Sequence, residues 1–241
     1  MKYAGTDKTR HRYGMNRYGV VFALLGVMSH ALAIECQMLL PEAKQKEILG
    51  ERWYPQGSRI RISQAAIRDG YTAIGKKDYE TAMREFNRAW RFRPEAPDAY
   101  WGAAITFGLM AEAEKTPSKA MLFIEASLAL FKQARKRLPD NTVVRENWQF
   151  DYAATLYIAG KILFASDKPA AEKFFAEAEK IWLSLLENRN LQKERDRKVY
   201  CRGCMHLIKL YRDWGKSELA ARYLQKLSAE MRKFPSLPQL Y

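Results

Sequence analysis

Glycine and proline divide this chain into apolar segments with helical periodicity, and no segment alternates with the period of two that is typical of a strand. From Ser63 onward the breaks separate runs of about 15 to 22 residues, which is the length of well-formed helices. These breaks fall at Gly75, Pro94 to Pro97, Pro117, Pro139, Pro169 and Gly215. We therefore predict an all-α fold of about eight helices, at residues 63–75, 78–93, 97–114, 117–138, 142–165, 168–187, 194–214 and 216–232.

Every second predicted helix carries the same stripe of small, large and small residues. The stripe is Ala82, Phe86 and Ala89, closed by Pro94. It recurs at the same steps in three later sets, with weaker residues in the last: Ser127, Phe131, Ala134 and Pro139; Ala171, Phe175 and Ala178; Ala220, Leu224 and Leu227. Residues at these steps lie on one face of a helix, so the small residues allow close approach while the large one fills the gap between helices. Gly70 and Ala159, each twelve residues before the small residue of the next helix, would let the first helix of a pair approach the second.

The stretch from Gly70 to Ala104, GYTAIGKKDYETAMREFNRAWRFRPEAPDAYWGAA, resembles the tetratricopeptide repeat family. It carries the family's small residue at Gly70, the turn aromatic at Tyr79 and the closing Pro94, and it spans the 34-residue period of the family. The stripes themselves are spaced 45, 44 and 49 residues apart, closer to the longer period of HEAT-like repeats. The resemblance implies a right-handed array of antiparallel helical hairpins.

The resemblance also implies a partner-binding site. Such arrays leave a concave surface that is lined by the first helix of each pair and holds a protein or peptide partner. In this chain the groove positions would be Gln64, Ile67, Arg68, Tyr71, Asp98, Trp101 and Ile105. Trp101 is either an anchor for the partner or a packing residue between helices. Arg59, Arg61 and Arg68 either select an acidic segment or are solvated.

The first 33 residues have the layout of a secretory signal peptide. A basic lead precedes the apolar run from Gly19 to Met28, and Ala31-Leu32-Ala33 provides small residues for cleavage after Ala33. A membrane anchor is the competing interpretation, but the apolar run is shorter than the roughly 20 residues that cross a bilayer. Translation begins at Met1 or at Met15. We then expect a lead-in segment at 34–61, the repeat domain at 62–232, and a tail at 233–241 that packs on the last hairpin, is loose, or docks elsewhere.

The chain is strongly basic, with a net charge of +14 over 241 residues. Cleavage after Ala33 removes five Lys or Arg residues and one acid, which leaves a net charge of +10. For an exported protein this charge favours acidic protein partners or an anionic envelope surface rather than nucleic acid. The alternative is that lysine and arginine only solubilise the outer faces of long helices.

Few residues are available for catalysis. His11 and His30 lie in the signal region, so a histidine-dependent site would have to use His206. We find no G-x-S-x-G, no H-E-x-x-H and no phosphate-binding glycine loop. We expect neither an enzyme nor a bound metal or cofactor.

The motif YCRGCMH, residues 200–206, is the one stretch that resembles a redox, haem-binding or metal-binding motif. Haem attachment requires the histidine directly after the second cysteine, but Met205 intervenes here. Cys201, Cys204 and His206 supply fewer than the four ligands of a structural zinc site. Thiol oxidoreductases place C-x-x-C after a strand, which is missing from the prediction. The alternatives that remain are a disulfide between Cys201 and Cys204, a disulfide from Cys36 to one of them or to a second chain, and free thiols in the core.

Taken together, these features predict an exported, non-catalytic adaptor or assembly scaffold of the bacterial cell envelope. A partner peptide or domain would occupy its concave groove. The alternative function is that of a thiol-redox or haem-associated envelope protein that uses Cys201 and Cys204.

Overall fold

A computed structural model of the chain describes residues 36–50, 55–187 and 189–233, all of which belong to one compact unit. The predicted signal peptide and the last eight residues of the predicted tail lie outside the described residues. The described part contains a short 3₁₀ turn at Gln37–Leu39 and nine α-helices. The helices are α1 (Glu42–Leu49), α2 (Gln56–Gly75), α3 (Tyr79–Phe92), α4 (Pro97–Ala113), α5 (Pro117–Arg135), α6 (Thr142–Leu163), α7 (Lys168–Leu186), α8 (Glu194–Asp213) and α9 (Ser217–Lys233).

The helix starts follow from local capping. Asp78, Asn141 and Asp167 each accept a hydrogen bond from a backbone N–H in the first turn of the helix that follows. Proline occupies the first turn of α4, α5 and α7, where its missing N–H costs nothing. The all-α prediction is confirmed, and the eight predicted helices correspond to α2 through α9.

The start of α2 differs from the prediction. We predicted it at Ser63, but the helix begins at Gln56, directly after Pro55. Ser63 is the first fully buried residue of α2, and the side chains of the preceding turns are exposed or only half-buried. An apolar period therefore could not show in the sequence before that point.

The helices pack as antiparallel neighbours in four hairpins, α2–α3, α4–α5, α6–α7 and α8–α9. Each second helix also contacts the first helix of the next hairpin. In addition, the first helices contact one another in succession, from α2 to α4, α6 and α8, while the second helices make no comparable contact within the described residues. Because the first helices are drawn together, the array curves with α2, α4, α6 and α8 on its inner, concave side.

The repeated stripe explains how one hairpin packs on the next. The middle residues Phe86, Phe131 and Phe175 are fully buried and reach the first helix of the following hairpin. Phe131 lies 5.7 Å from Tyr152 of α6, and Phe175 lies 5.5 Å from Trp214 at the end of α8, both measured between ring centroids. Leu224 occupies the same position in the last hairpin but is 45% exposed, because the described chain has no further first helix after α9.

Small residues give these rings their space. A Cβ atom added to Gly102 of α4 would lie only 2.1 Å from the Phe86 ring, and one added to Gly70 of α2 would lie 2.8 Å from it. In the third hairpin the ring of Phe175 meets Gly160, so the close approach is one residue beyond the predicted Ala159. Phe86 is therefore wedged between two first helices.

The lead-in segment packs on the first two hairpins. The Gln37 backbone N–H donates to Asn87 Oδ1 of α3 at 3.0 Å, and Arg91 Nε donates to Gln37 Oε1 at 2.8 Å. Cys36 and Met38 are buried there, and the 3₁₀ turn contacts α3 and α5. Residues 36–39 thus cover the outer side of the array at its beginning.

Candidate functional site on the concave face

The seven predicted groove residues all lie on the first helices α2 and α4. Gln64, Arg68 and Tyr71 are exposed, with Tyr71 at 40%. The other four, Ile67, Asp98, Trp101 and Ile105, are half-buried. Arg59 and Arg61 also lie on α2, and the guanidinium of Arg61 bonds Ser58 one turn earlier at 3.4 Å.

Trp101 is tied into a polar chain that crosses three first helices. Its indole N–H donates to Asp151 Oδ2 of α6 at 3.0 Å, and Arg202 Nη2 of α8 donates to Asp151 Oδ1 at 2.9 Å. One carboxylate thus joins α4, α6 and α8. We name Trp101, Asp151 and Arg202 the cross-helix chain. Trp101 is neither fully buried nor free, because its polar edge is satisfied while part of its ring stays accessible.

The electrostatics of this chain reflect an enclosed surface. Desolvation raises the pKa of Asp151, and the charge of Arg202 and the Trp101 hydrogen bond oppose that rise. Tyr71 shows the same enclosure from α2. Although part of the Tyr71 ring is exposed, desolvation in the groove raises its pKa. The negative charges of Asp151 and Asp98 raise it further, by smaller amounts. The three first helices therefore place Tyr71, Asp98 and Asp151 within electrostatic reach of one another.

Buried aromatic rings pack behind the concave face toward the last hairpin. The guanidinium of Arg202 lies 4.4 Å from the centroid of Phe150, and the imidazole of His206 stacks on Trp182 with centroids 4.8 Å apart and an interplanar angle of 16°. His206 also lies 5.9 Å from Phe150. Desolvation, followed by the nearby charges of Arg202 and Lys209, lowers the pKa of His206 from 6.5 to about 4. His206 is therefore a neutral packing residue at pH 7.

The depressed pKa of His206 makes stability depend on pH. Between pH 6.5 and 4, His206 binds a proton in the unfolded chain but not in the folded chain. The free energy of unfolding therefore falls as the pH falls. At pH 5 this loss amounts to about 2 kcal/mol relative to pH 7.5. We expect His206→Phe, which keeps the ring stack and cannot be protonated, to reduce the loss by that amount. Urea denaturation at both pH values measures it, and an unchanged difference between the two would contradict the assignment.

Cys201 and Cys204 are free thiols, and all three cysteines are buried. Cys201 and Cys204 belong to a small core cluster with Ile208 and Leu227, between α8 and α9. Cys36 packs at the first two hairpins, so a disulfide from Cys36 to Cys201 or Cys204 within one chain does not fit this fold. His206 stacks on Trp182, outside the cluster that contains the two cysteines, so YCRGCMH does not converge on one site.

Burial also suppresses thiol chemistry. Desolvation raises the pKa of Cys201, and it raises that of Cys204 to about 12. At pH 8 the thiolate fraction of Cys204 is therefore on the order of 10⁻⁴. We expect iodoacetamide to label Cys204 in the native chain at least a hundredfold more slowly than in urea, as followed by peptide mass spectrometry. Equal rates in both states would favour a reactive pair.

Two further features bear on function. Among the described residues, no group of three or more His, Cys, Asp or Glu side chains is arranged to hold a metal ion. The described helices also include none that is long and apolar enough to cross a membrane. No protein-family model, curated protein or solved structure matches this chain.

Several residues that form this face or are buried behind it were not identified from the sequence. Asp151, Arg202, Phe150 and Trp182 are separated from Trp101 by 49 residues or more along the chain. Asp151 could in principle have been noticed in the sequence, because it is an acid directly after the buried Phe150 in a first helix. To predict that Asp151 pairs with Trp101 and Arg202, one would have to know how three helices are rotated relative to one another.

Proposed function

We propose that the protein is a non-catalytic adaptor whose concave face holds a polypeptide segment of a partner. The cross-helix chain carries the proposal. Trp101, Asp151 and Arg202 line up polar and aromatic groups on three successive first helices, and Tyr71 continues the line on the fourth. A continuous surface of this kind matches an extended ligand better than a compact one.

The residue types also favour a protein partner. Tryptophan, tyrosine and arginine dominate the binding energy of protein interfaces, since they bury large area and still form polar contacts. Here Tyr71 and Trp101 offer accessible aromatic surface, while the Asp151 carboxylate keeps Trp101 and Arg202 in place before a partner arrives. Preorganised side chains lose less conformational entropy on binding.

The proposal includes the tetratricopeptide-like character of the array and its export to the cell envelope. The motif from Gly70 to Ala104 and the contacts between successive first helices support the former. The basic lead, apolar run and small residues of 1–33 support the latter. The burial and raised pKa of Cys204 favour an adaptor over a thiol-redox protein.

Site-specific photocrosslinking tests the adaptor function. A benzoylphenylalanine placed singly at exposed groove positions of the first helix α2, Gln64, Arg68 or Tyr71, is expected to crosslink one common partner in cells. The crosslinked protein would be identified by mass spectrometry, and its capture is expected to fall at least fivefold in a Trp101→Ala background.

Matched probes on second helices provide the control. Arg84, Lys132 and Lys173 are exposed on α3, α5 and α7. We expect these positions to yield little of the same partner. Equal capture from both sets of helices, or no loss with Trp101→Ala, would contradict binding on the concave face.

A further inference from the structure

At the end of the described array, the last hairpin has an uncovered apolar cavity lined by Leu224, Leu227 and Ile208, which we name the seat. In each earlier hairpin the large residue of the stripe is covered by the next first helix, as Phe86 is covered by α4 and Phe175 by the end of α8. The equivalent Leu224 of α9 is 45% exposed. Leu227, one turn later, and Ile208 of α8 line the same cavity, which has a volume of about 750 Å³.

The rim of this seat is positively charged. Lys198, Arg202, Lys209 and Arg212, all on α8, contribute to its wall, and no acidic side chain of the described residues does so. Lys198 is paired with Glu194 at 2.6 Å, and Arg202 is paired with Asp151. Lys209 and Arg212 are exposed, and within the described part of the chain neither lies within ion-pair distance of an acid. Their charges are available to a ligand.

We propose that this seat binds an amphipathic, acidic helix of the partner, which takes the place that the first helix of a further hairpin would occupy. The apolar side of that helix covers Leu224, Leu227 and Ile208, and its acidic residues face Lys209 and Arg212. The inference rests on the proposed adaptor function and names the chemistry of the partner. A two-fold pairing of two copies through this seat is disfavoured, because it would place lysine and arginine against lysine and arginine.

The arrangement of α8 and α9 supports a helix as the occupant. A helix packs about 8–10 Å from its neighbours and needs two supporting helices, which α8 and α9 supply in the way that α6 and α7 support α8. Apolar residues at helical spacing are the usual anchors of helix-in-groove binding, and rim charges fix the orientation of the ligand. Salt should weaken such binding, since the two free cations are exposed.

The test uses the full chain and three fluorescent peptides of about 18 residues, or five helical turns. The first has alanine and leucine at i, i+3, i+4 and i+7 with glutamate on the flanks; the second replaces each glutamate by lysine; the third scrambles the first. Fluorescence anisotropy is expected to show binding of the first peptide alone, weakened by raising the salt from about 50 to 300 mM. Equal binding of the lysine peptide or of the scrambled peptide would overturn the proposal.

Variants locate the binding. Leu224→Glu, and separately Lys209→Glu with Arg212→Glu, are each expected to weaken the acidic peptide about tenfold, while Lys173→Glu on α7 leaves it unchanged. These side chains are exposed, so folding is retained, as circular dichroism checks. Unchanged affinity in Leu224→Glu would overturn the seat. So would tighter binding after removal of residues 234–241, since it would assign the seat to the chain's own tail.

Three further outcomes separate this proposal from others. If phosphatidylglycerol vesicles bind and the peptide does not, with the vesicle binding lost in Leu224→Glu, the seat is a lipid site and the helix proposal falls. If the peptide does not bind while photocrosslinks from Tyr71 persist, the adaptor function stands and only the end seat is refuted. If the peptide binds while the crosslinks are missing, the concave-face proposal is the one that fails.

Discussion

Phe86→Ala is expected to lower the free energy of unfolding by about 4 kcal/mol, the largest effect we expect from a single substitution. The Phe86 ring is fully buried and fills the space between Gly70 of α2 and Gly102 of α4. Its removal leaves a cavity between α2, α3 and α4. These helices cannot move closer to fill it, because their backbones already approach each other through small residues. Urea denaturation followed by circular dichroism measures the loss.

The matched control for this variant is Leu224→Ala, at the same repeat position in the last hairpin. Leu224 is largely exposed, so its truncation is expected to cost under about 1 kcal/mol. Similar losses at the two positions would contradict the difference in packing. A second check is Gly102→Ala, whose new Cβ would crowd the Phe86 ring: its cost of about 2 kcal/mol should shrink in a Phe86→Leu background.

Glu146→Ala is expected to destabilise the chain by about 3 kcal/mol. Glu146 is buried at the start of α6 and accepts hydrogen bonds from Arg189 at 2.9 Å and from Arg195 at 2.5 Å. Arg189 ties α6 to the connection between α7 and α8, and Arg195 ties it to the first turn of α8. Removal of the carboxylate leaves the Arg189 guanidinium, whose side chain is only 12% exposed, with Asp196 at 3.4 Å as its one remaining acidic partner among the described residues.

A surface acid serves as the control for Glu146. Glu172→Ala removes an exposed carboxylate from α7 and is expected to change stability by less than about 0.5 kcal/mol. Because the Arg189 pair is shielded, the effect of Glu146→Ala should persist in about 0.5 M salt. A loss below 1 kcal/mol, or one that vanishes in salt, would show that the cluster is a solvated surface pair.

The helices were predictable because their signals are local. Proline and glycine mark the ends, capping residues such as Asp78 and Asn141 start the next element, and the apolar period continues between them. The exception is α2, whose first turns contain no fully buried residue and so show no clear apolar period in the sequence. The pairing of hairpins was also predictable, because the stripe of Phe86, Phe131 and Phe175 repeats a contact between consecutive helices.

The candidate site was predictable only in part. Sequence reasoning placed Tyr71 and Trp101 on first helices, because that assignment depends only on the order of helices within one hairpin. Asp151 meets Trp101 across 50 residues of chain, and Arg202 meets Asp151 across 51. A shift of a single residue in any of the three helices would rotate these side chains away from one another. The exposure of Leu224 depends on its place at the end of the array, which its own stripe cannot reveal.

Hydrogen exchange of the purified chain, with and without the partner identified by crosslinking, tests the central claim most directly. The account predicts added protection of amides in α2, α4, α6 and α8, where Tyr71, Trp101, Asp151 and Arg202 lie, and little change in α3, α5 and α7. Protection concentrated on α3, α5 and α7, or spread equally over both sets of helices, would contradict binding on the concave face.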